Sequence, residues 1–218
     1  MRLYFKTTPN TEPVPFTYQV ALVGALHKWL GDNDLHDDMS LYSLSWLYNG
    51  KQHKDGLEFP QGAGFFISAP DTSLHQRIVA GVFSDPGIRY GLNVQEVQLA
   101  EQPVFGNVER FMLQSPALIK RSINGKIKFY YPEDPEADTL LTETLQHKLR
   151  KIGKGHLQVK VGFDRSYPNI KIRLVNYKGI NNKATFCPVI VEGDPEAIAL
   201  AWEVGVGNST GIGFGAVR

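Results

Sequence analysis

The chain has 218 residues, a formal net charge of +1, 42% hydrophobic residues and 21% charged residues. This composition is typical of a globular protein and excludes a disordered chain, a collagen and a coiled coil. The single cysteine, Cys187, excludes an internal disulfide framework or a cysteine-rich zinc site and indicates a reducing cytoplasm. No apolar run approaches the roughly 20 residues that cross a bilayer, and the early Lys6 argues against a secretory signal.

The two halves of the chain differ in charge. Residues 1–100 hold 7 Lys and Arg against 10 Asp and Glu, whereas residues 101–218 hold 16 against 12. The stretch 145–178 contains nine basic residues and one acidic residue, Asp164. Such a field suits a polyanion such as nucleic acid. A solvated helix end followed by a hairpin is the open alternative.

The first half predicts the order strand, helix, two strands, helix, strand. Strand patterns occupy four segments: 1–7, 41–48, 64–69 and 92–99. Apolar residues at helical spacing predict a helix over 18–30, which ends at Gly31. Asp71 or Ser73 caps a second helix, which runs through 78–83.

The second half repeats this kind of pattern. Strands are predicted in five segments: 126–131, 157–163, 170–177, 184–191 and 214–218. The second and third of these are expected to pair as a hairpin. Asp-Pro-Glu triplets at 134–136 and 194–196 predict helix starts, with Asp as N-cap and Pro at the first helical position. The first of these helices is expected to end near Gly153.

Two successive β-α-β-β-α-β units are the ferredoxin-like pattern in duplicate. The predicted fold class is therefore α+β, with two tandem ferredoxin-like (RRM-like) domains. We place the boundary in the junction 101–106. The expected N-terminal domain is 1–103, with the candidate catalytic histidines, and the C-terminal domain is 104–218, with the basic face and a glycine-rich segment.

That glycine-rich segment contains two glycine pairs, each around one apolar residue: Gly205-Val206-Gly207 and Gly213-Phe214-Gly215. It lacks the third glycine of a dinucleotide fingerprint and the Gly-Lys-Ser/Thr of a phosphate-binding loop. Such a segment can expose backbone N–H groups or let another backbone approach closely. A simple turn is the alternative.

With this spacing at the C-terminus, the segment resembles the signature of the CRISPR repeat-processing endoribonucleases of the RAMP superfamily. Residues 114–117, Gln-Ser-Pro-Ala, are similar to the segment that opens the second domain of these enzymes. Residues 24–26 and 41–44 are similar to their N-terminal region. The resemblance implies two tandem ferredoxin-like domains over nearly the whole chain.

The resemblance also implies an activity: metal-independent cleavage of CRISPR precursor RNA within its repeats, without a cofactor. In that reaction the 2′-hydroxyl of the RNA attacks the adjacent phosphate and leaves a 2′,3′-cyclic phosphate and a 5′-hydroxyl. CRISPR repeat RNA is the implied partner, and a CRISPR effector complex is a further one. No oligomeric state is implied.

Histidine suits the acid and base roles because its pKa, about 6.5, lies near working pH. A catalytic histidine of the family often lies just past the first helix, in a Leu-His context that His36 matches. Asp37 and Asp38 would favour its protonated form, which suits a general acid. His27, on the first helix, matches the place of a partner residue in the family. The alternatives are a solvated loop histidine and a packed one, respectively.

The remaining histidines rank lower. His53 is the reserve candidate, and the others are expected at the surface, in packing or against RNA: His75, His147 and His156. Where relatives place a lysine before the next strand, this chain has Met39 and Ser40. The phosphate-stabilising cation is therefore unassigned, with three weak candidates: Lys28, Lys51 and Lys54. No histidine pair has metal-site spacing, so no metal is expected.

Eight residues are predicted to bind RNA: Lys120, Arg121, Lys171, Arg173, Gly205, Gly207, Gly213 and Gly215. Lys171 and Arg173 alternate onto one strand face, where both can follow one phosphate backbone. A solvated charged face is the alternative for them. The alternative function is a non-catalytic RAMP-type RNA-binding subunit of a CRISPR effector complex, because the fold and the glycines would serve both.

Overall fold

The structure, a computed structural model, describes residues 1–33 and 39–218. In this part of the chain the helices are α1 (Gln19–Leu30), α2 (Thr72–Ser84), α3 (Ala137–Lys151) and α4 (Pro195–Val204). The strands up to residue 100 are β1 (Arg2–Thr7), β2 (Ser43–Leu44), β3 (Lys51–His53), β4 (Gly56–Glu58), β5 (Gly64–Ser68) and β6 (Val94–Ala100). Those that follow are β7 (Val108–Phe111), β8 (Lys120–Ile123), β9 (Lys126–Phe129), β10 (Val159–Phe163), β11 (Lys171–Tyr177), β12 (Ile180–Phe186) and β13 (Val189–Gly193). None of the helices described is long and apolar enough to cross a membrane.

The first unit is a four-stranded sheet in the order β2-β5-β1-β6, with antiparallel neighbours throughout. Its core contains Leu3 and Phe5 of β1 together with Leu26 and Trp29 of α1 and Ile78 of α2. The Phe5 ring stacks on Phe65 and Trp29. As predicted, α2 is capped by Asp71, whose carboxylate accepts from the Ser73 N–H (2.8 Å).

The second unit repeats the arrangement with the sheet β10-β13-β7. The fourth place beside β7 is taken by the C-terminal segment, where Leu113 and Val217 form an isolated antiparallel bridge. The predicted strand 214–218 is therefore reduced to this bridge. A second core, separate from the first, packs α3 and α4 against this sheet and contains Leu141, Leu145 and Val191.

Several predicted pairings are wrong in the second unit. The segments 157–163 and 170–177 do not form a hairpin, because β10 pairs with β13 and β11 pairs with β12. The predicted strand 184–191 is two strands, β12 and β13, which are separated at Cys187 and Pro188. The strand predicted at 126–131 is β9, half of a separate hairpin with β8, and β7 takes the first place in the sheet.

Smaller differences concern element ends. The strand predicted at 41–48 shortens to β2 plus a single bridge from Tyr48 to Gly64. Helix α3 begins after Glu136 rather than after Asp134, whose carboxylate accepts from the Tyr131 N–H (2.7 Å) instead. Residues 101–106 lie between β6 and β7 outside any strand. The boundary between 103 and 104 stays a prediction.

The C-terminal residues of the second unit pack against the first. The Trp46 indole N–H donates to the carbonyl of Gly213 (2.7 Å), and the Ser43 hydroxyl donates to the carbonyl of Glu203 (3.0 Å). The Thr210 hydroxyl donates to the carbonyl of Tyr42 (2.8 Å). The glycine-rich segment, 205–215, therefore lies at the junction of the two units.

Candidate functional site

A cavity of about 310 Å³ lies beside the glycine-rich segment, at the junction of the two units. Its lining includes His27, Met39, Ser40 and Tyr42 from the first unit, and Lys120, Thr144, Lys148, Ser209 and Thr210 from the second. We call it the junction cavity. It brings one candidate catalytic histidine together with two amines, three hydroxyl side chains and a phenol. Burial raises the pKa of the Tyr42 phenol to about 12.

His27 is half-buried near the C-terminal end of α1, and its ring Nδ1 lies 3.2 Å from Asn33 Oδ1. The Asn33 amide nitrogen donates to the carbonyl of Gly31 (2.6 Å), which turns Oδ1 toward the histidine. A carbonyl oxygen can only accept, so Nδ1 carries the proton of this bond. The neutral ring then has its lone pair on Nε2, the form that a general base requires.

His36, the other predicted catalytic residue, lies outside the described residues, as do Asp37 and Asp38. The described residues next to that gap are Asn33 and Met39. Both line a cavity of about 500 Å³ between α2 and the end of α3, and Met39 also lines the junction cavity. The chain on both sides of His36 therefore borders the site that contains His27.

Lys148 of α3 is buried in the wall of the junction cavity, 2% exposed. Its ammonium donates to the carbonyl of Val204 (2.8 Å) and to the Thr210 hydroxyl (3.0 Å). Burial lowers the pKa of Lys148 to about 7. In the described part of the chain no carboxylate pairs with it.

Of the two basic residues after the Ser-Pro segment, only Lys120 is available to a ligand. The Lys120 side chain lines the junction cavity, and its backbone N–H donates to Asn208 Oδ1 (2.9 Å). The Arg121 guanidinium is occupied. It donates to the Leu140 carbonyl (3.2 Å) and to the Thr144 hydroxyl (3.3 Å), and it pairs with Glu143 (3.5 Å). Arg121 therefore fixes β8 to α3.

The four outer glycines of the segment are buried. A Cβ on Gly215 would lie 1.9 Å from the Val206 carbonyl oxygen, and one on Gly207 would lie 2.6 Å from that of Leu118. The Gly215 N–H donates to the Pro116 carbonyl (2.9 Å), and the Ser115 hydroxyl accepts from the Ala216 N–H (2.9 Å). The glycines let backbones pack closely, and only Asn208, Ser209 and Ile212 of the segment are half-exposed.

Two grooves continue from the junction cavity along the junction of the units. The first, about 780 Å³, is lined by His27, Arg89 and Lys178 among others and lies between α1 and the β11–β12 turn. The second, also about 780 Å³, shares Thr17 and Asn176 with the first and is lined by both Lys171 and Arg173. In the described residues neither Lys171 nor Arg173 has a side-chain hydrogen bond or ion pair. The three hollows form a series in which neighbours share residues.

The C-terminal part of the chain matches a family model. That model, described as CRISPR associated protein Cas6, C-terminal, covers residues 100–218. The chain belongs to the Cas6 family.

Individual relatives agree with this assignment. The chain is 22% identical over 227 residues to the CRISPR-associated endoribonuclease Cas6 1 of Methanocaldococcus jannaschii, which covers 96% of this chain and 89% of the relative. A structure described as "Characterization of a Cas6-related gene from Pyrococcus furiosus" superposes with a TM-score of 0.86 at 18% identity over 100% of this chain and 97% of that one. Another, "An RAMP protein binding different RNA substrates", has a TM-score of 0.86 at 17% identity over 100% and 98%. The tandem ferredoxin-like α+β fold is confirmed.

The part matched by the Cas6 model contains a residue that sequence reasoning missed. Lys148 was counted within the basic stretch, yet it lies on the buried face of α3 with Leu141, Leu145 and Leu149. A signal was present, because position 148 falls on the i, i+4, i+7 stripe that begins at Leu141. A lysine at a core position of a helix requires a partner or a function.

The other histidines of this Cas6 chain are outside the junction cavity. His53 lies in the β3–β4 hairpin, and its Nε2 is 3.2 Å from Glu58. His75 is 4% exposed on α2, both its ring nitrogens lack a partner, and burial lowers its pKa. His147 and His156 are exposed. Among the described residues, no three His, Cys, Asp or Glu are grouped as they would be around a metal ion.

Proposed function

We propose that this chain is an endoribonuclease that cuts CRISPR precursor RNA within its repeats without a metal ion in the chemical step. The 2′-oxygen of the RNA bonds to the adjacent phosphorus while the bond from phosphorus to O5′ breaks. The 2′-hydroxyl proton goes to a base, and O5′ takes a proton from an acid. The products are a 2′,3′-cyclic phosphate and a 5′-hydroxyl. Support comes from the family and from the endoribonuclease of Methanocaldococcus jannaschii.

The observation that carries the proposal is the position of His27. Its ring lies where the junction cavity meets the first groove, and its Nδ1–H is directed to Asn33 Oδ1. We assign Nε2 of His27 as the base for the 2′-hydroxyl and His36 as the acid for O5′. His36 is outside the described residues, so its role rests on the family resemblance and on its two bordering residues, Asn33 and Met39.

The RNA would follow the three hollows. Exposed cations line both grooves, Arg89 and Lys178 in the first and Lys171 and Arg173 in the second. Aromatic side chains in the second groove can stack on unpaired bases: Phe16, Trp46, Tyr167 and Phe186. Alternating cations and aromatic rings are what a single strand of RNA requires. The buried glycines would shape this path without contacting RNA themselves.

The test is cleavage of labelled repeat RNAs by purified protein in excess chelator. We expect cutting at one position and a cyclic phosphate on the upstream product, with a 5′-hydroxyl on the other. Replacing the scissile 2′-hydroxyl with hydrogen should abolish cutting and preserve binding, because the nucleophile belongs to the RNA. A strict magnesium requirement for the chemical step, or a 3′-hydroxyl product, contradicts the proposal.

A second function, a non-catalytic RNA-binding subunit, draws on one observation. Met39 and Ser40 line the junction cavity where relatives have a lysine, so the usual cation is absent from that place. The solved RAMP protein named above is described by its binding to RNA substrates. Tight binding of repeat RNA without cleavage in any buffer, with or without magnesium, favours this function over the first.

A further inference from the structure

Lys148 presents an unusual arrangement inside the second unit. It occupies a core position of α3, and its ammonium reaches the C-terminal end of α4 at Val204 and the glycine-rich segment at Thr210. An ammonium has three N–H donors. Two are used, and the described residues offer no acceptor for the third.

Burying this amine is costly for folding. Removing an ammonium from water without an ion pair is unfavourable, and its usual response is to lose the proton. Burial accordingly lowers the pKa of Lys148 to about 7, with no charged neighbour that raises it. A methionine would fill the same space without this cost. The amine is therefore best explained by a ligand that its third donor meets.

The position of the amine indicates which ligand that is. Lys148 lines the junction cavity, and the other titratable groups in that lining are His27 of α1, Tyr42 of the first unit and Lys120 of β8. None of the described residues in the lining is a carboxylate. A cavity with amines, hydroxyl groups and no acid suits an anion.

We propose that Lys148 contacts the reacting phosphodiester and supplies the cation that the sequence left unassigned. This inference rests on the proposed function, because it places the scissile phosphate in the junction cavity. As the 2′-oxygen adds to phosphorus, negative charge grows on the non-bridging oxygens, and a fixed ammonium there stabilises the transition state more than the ground state. The Val204 carbonyl and the Thr210 hydroxyl hold the amine in place beforehand.

The first experiment compares two variants on one helix end. Lys148→Met should lower single-turnover cleavage by at least about 10²-fold, the loss typical of one transition-state donor. Binding of the 2′-deoxy repeat RNA and the melting temperature should stay close to those of the parental protein. Lys154→Met is the matched control, since Lys154 follows α3, is partly exposed and pairs with Glu196. It should cut at the parental rate.

The second experiment needs no variant. The parental protein is labelled on its lysine side chains, and NMR follows each amine through a pH titration. Lys148 is recognised as the amine that titrates near pH 7, whereas exposed lysines titrate near 10.4. Inorganic phosphate, and separately the 2′-deoxy repeat RNA, should raise the pKa of this amine, because an anion favours its charged form. A pKa that neither probe moves overturns the inference.

The outcomes separate this inference from the proposed function. If the parental protein cuts RNA and Lys148→Met cuts equally fast, the inference fails and the proposed function stands. If Lys148→Met loses affinity or melting temperature in proportion to rate, Lys148 has only a structural role and the inference fails. If the parental protein cuts no RNA, the proposed function fails, and the phosphate titration still tests whether Lys148 binds an anion.

Discussion

The Arg2 guanidinium of β1 lies flat against the Trp202 ring of α4, with its central carbon 3.8 Å from the ring centroid. The Phe66 ring covers the other side at 3.9 Å. One terminal nitrogen donates to the Trp202 carbonyl (2.9 Å) and to the Val217 carbonyl (2.8 Å). A side chain that is 1% exposed thus connects the first strand of one unit to the last helix and last residues of the other.

Replacing this arginine should weaken the contact between the two units. Arg2→Ala leaves two buried carbonyls without a donor and opens a cavity between two rings, so we expect a loss of at least about 3 kcal/mol in the free energy of unfolding. Urea unfolding followed by tryptophan fluorescence measures it. Arg150→Ala, at an exposed position of α3, is the control and should cost less than about 0.5 kcal/mol. Equal losses in the two variants would contradict the role given to Arg2.

The close approach at Gly215 yields a second prediction, with a control that isolates it. Gly215 and Gly125 have similar backbone angles, φ +61° and φ +75°, but a Cβ meets the Val206 oxygen at 1.9 Å in the first and nothing within 4 Å in the second. Gly125→Ala should therefore cost only about 1 to 2 kcal/mol of backbone strain. Gly215→Ala should cost clearly more or abolish folding. Thermal melts compare the two, and similar melting temperatures would show that the packing does not matter.

Local signals predicted the elements near which they lie. The stripe of α1 and the cap at Asp71 are satisfied within a few residues of each helix, so both helices begin and end close to where the sequence placed them. Strand partners are different, because alternation tells which face a residue takes but not which strand lies beside it. The hairpin predicted between 157–163 and 170–177 was wrong for this reason: β12 follows β11 through a tight turn at Lys178 and Gly179.

The candidate site divides in the same way. His27 was predicted from its place on α1 and from the family, and it does line the junction cavity. Its bond to Asn33 depends on how the chain turns after Gly31, which no local pattern encodes. Lys148 reaches the site through contacts with Val204 and Thr210, more than 50 residues away in sequence. Charge counting could not separate it from its exposed neighbours.

The basic residues of β11 are expected to control affinity. Lys171→Ala combined with Arg173→Ala should weaken RNA binding and flatten its dependence on salt, because each lost phosphate contact lowers the log–log slope by about 0.7 to 0.9. Lys126→Ala combined with Lys128→Ala is the matched control. It removes the same charge at the same spacing from β9, outside the three hollows. Filter binding at several salt concentrations gives both slopes, and an unchanged slope in the β11 variant would place the RNA elsewhere.

The buried amine of Lys148 makes stability depend on pH. Burial lowers its pKa from 10.5 to about 7 in the folded state, so between these values the unfolded chain binds more protons than the folded one. The free energy of unfolding should therefore rise with pH across this window, and the contribution should be lost as pH falls toward 7. Lys148→Met should lack this rise, while Lys154→Met should retain it. Urea unfolding at a series of pH values measures the difference, and parallel profiles for all three proteins would contradict the burial of a titrating amine.

The last prediction concerns the acid of the proposed reaction. His36→Ala should lower single-turnover cleavage by at least about 10²-fold, the lower range for a lost acid–base catalyst. RNA affinity should change little, because one histidine supplies at most one contact among many to phosphates. His27→Ala should also slow cleavage, and its melting temperature must be measured with its rate because α1 packs in the core.

The control for both histidines is His147→Ala, an exposed position on α3 outside the junction cavity, which should cut at the parental rate. A pH–rate profile adds a second readout. Loss of the acid should remove the fall in rate at high pH, since a general acid acts only while protonated, and loss of the base should remove the fall at low pH. If His36→Ala cuts as fast as the parental protein with an unchanged profile, the acid is not His36. His53 and Tyr42 would then be the next residues to replace, Tyr42 because its phenol lines the junction cavity beside His27 and stays protonated across the working range.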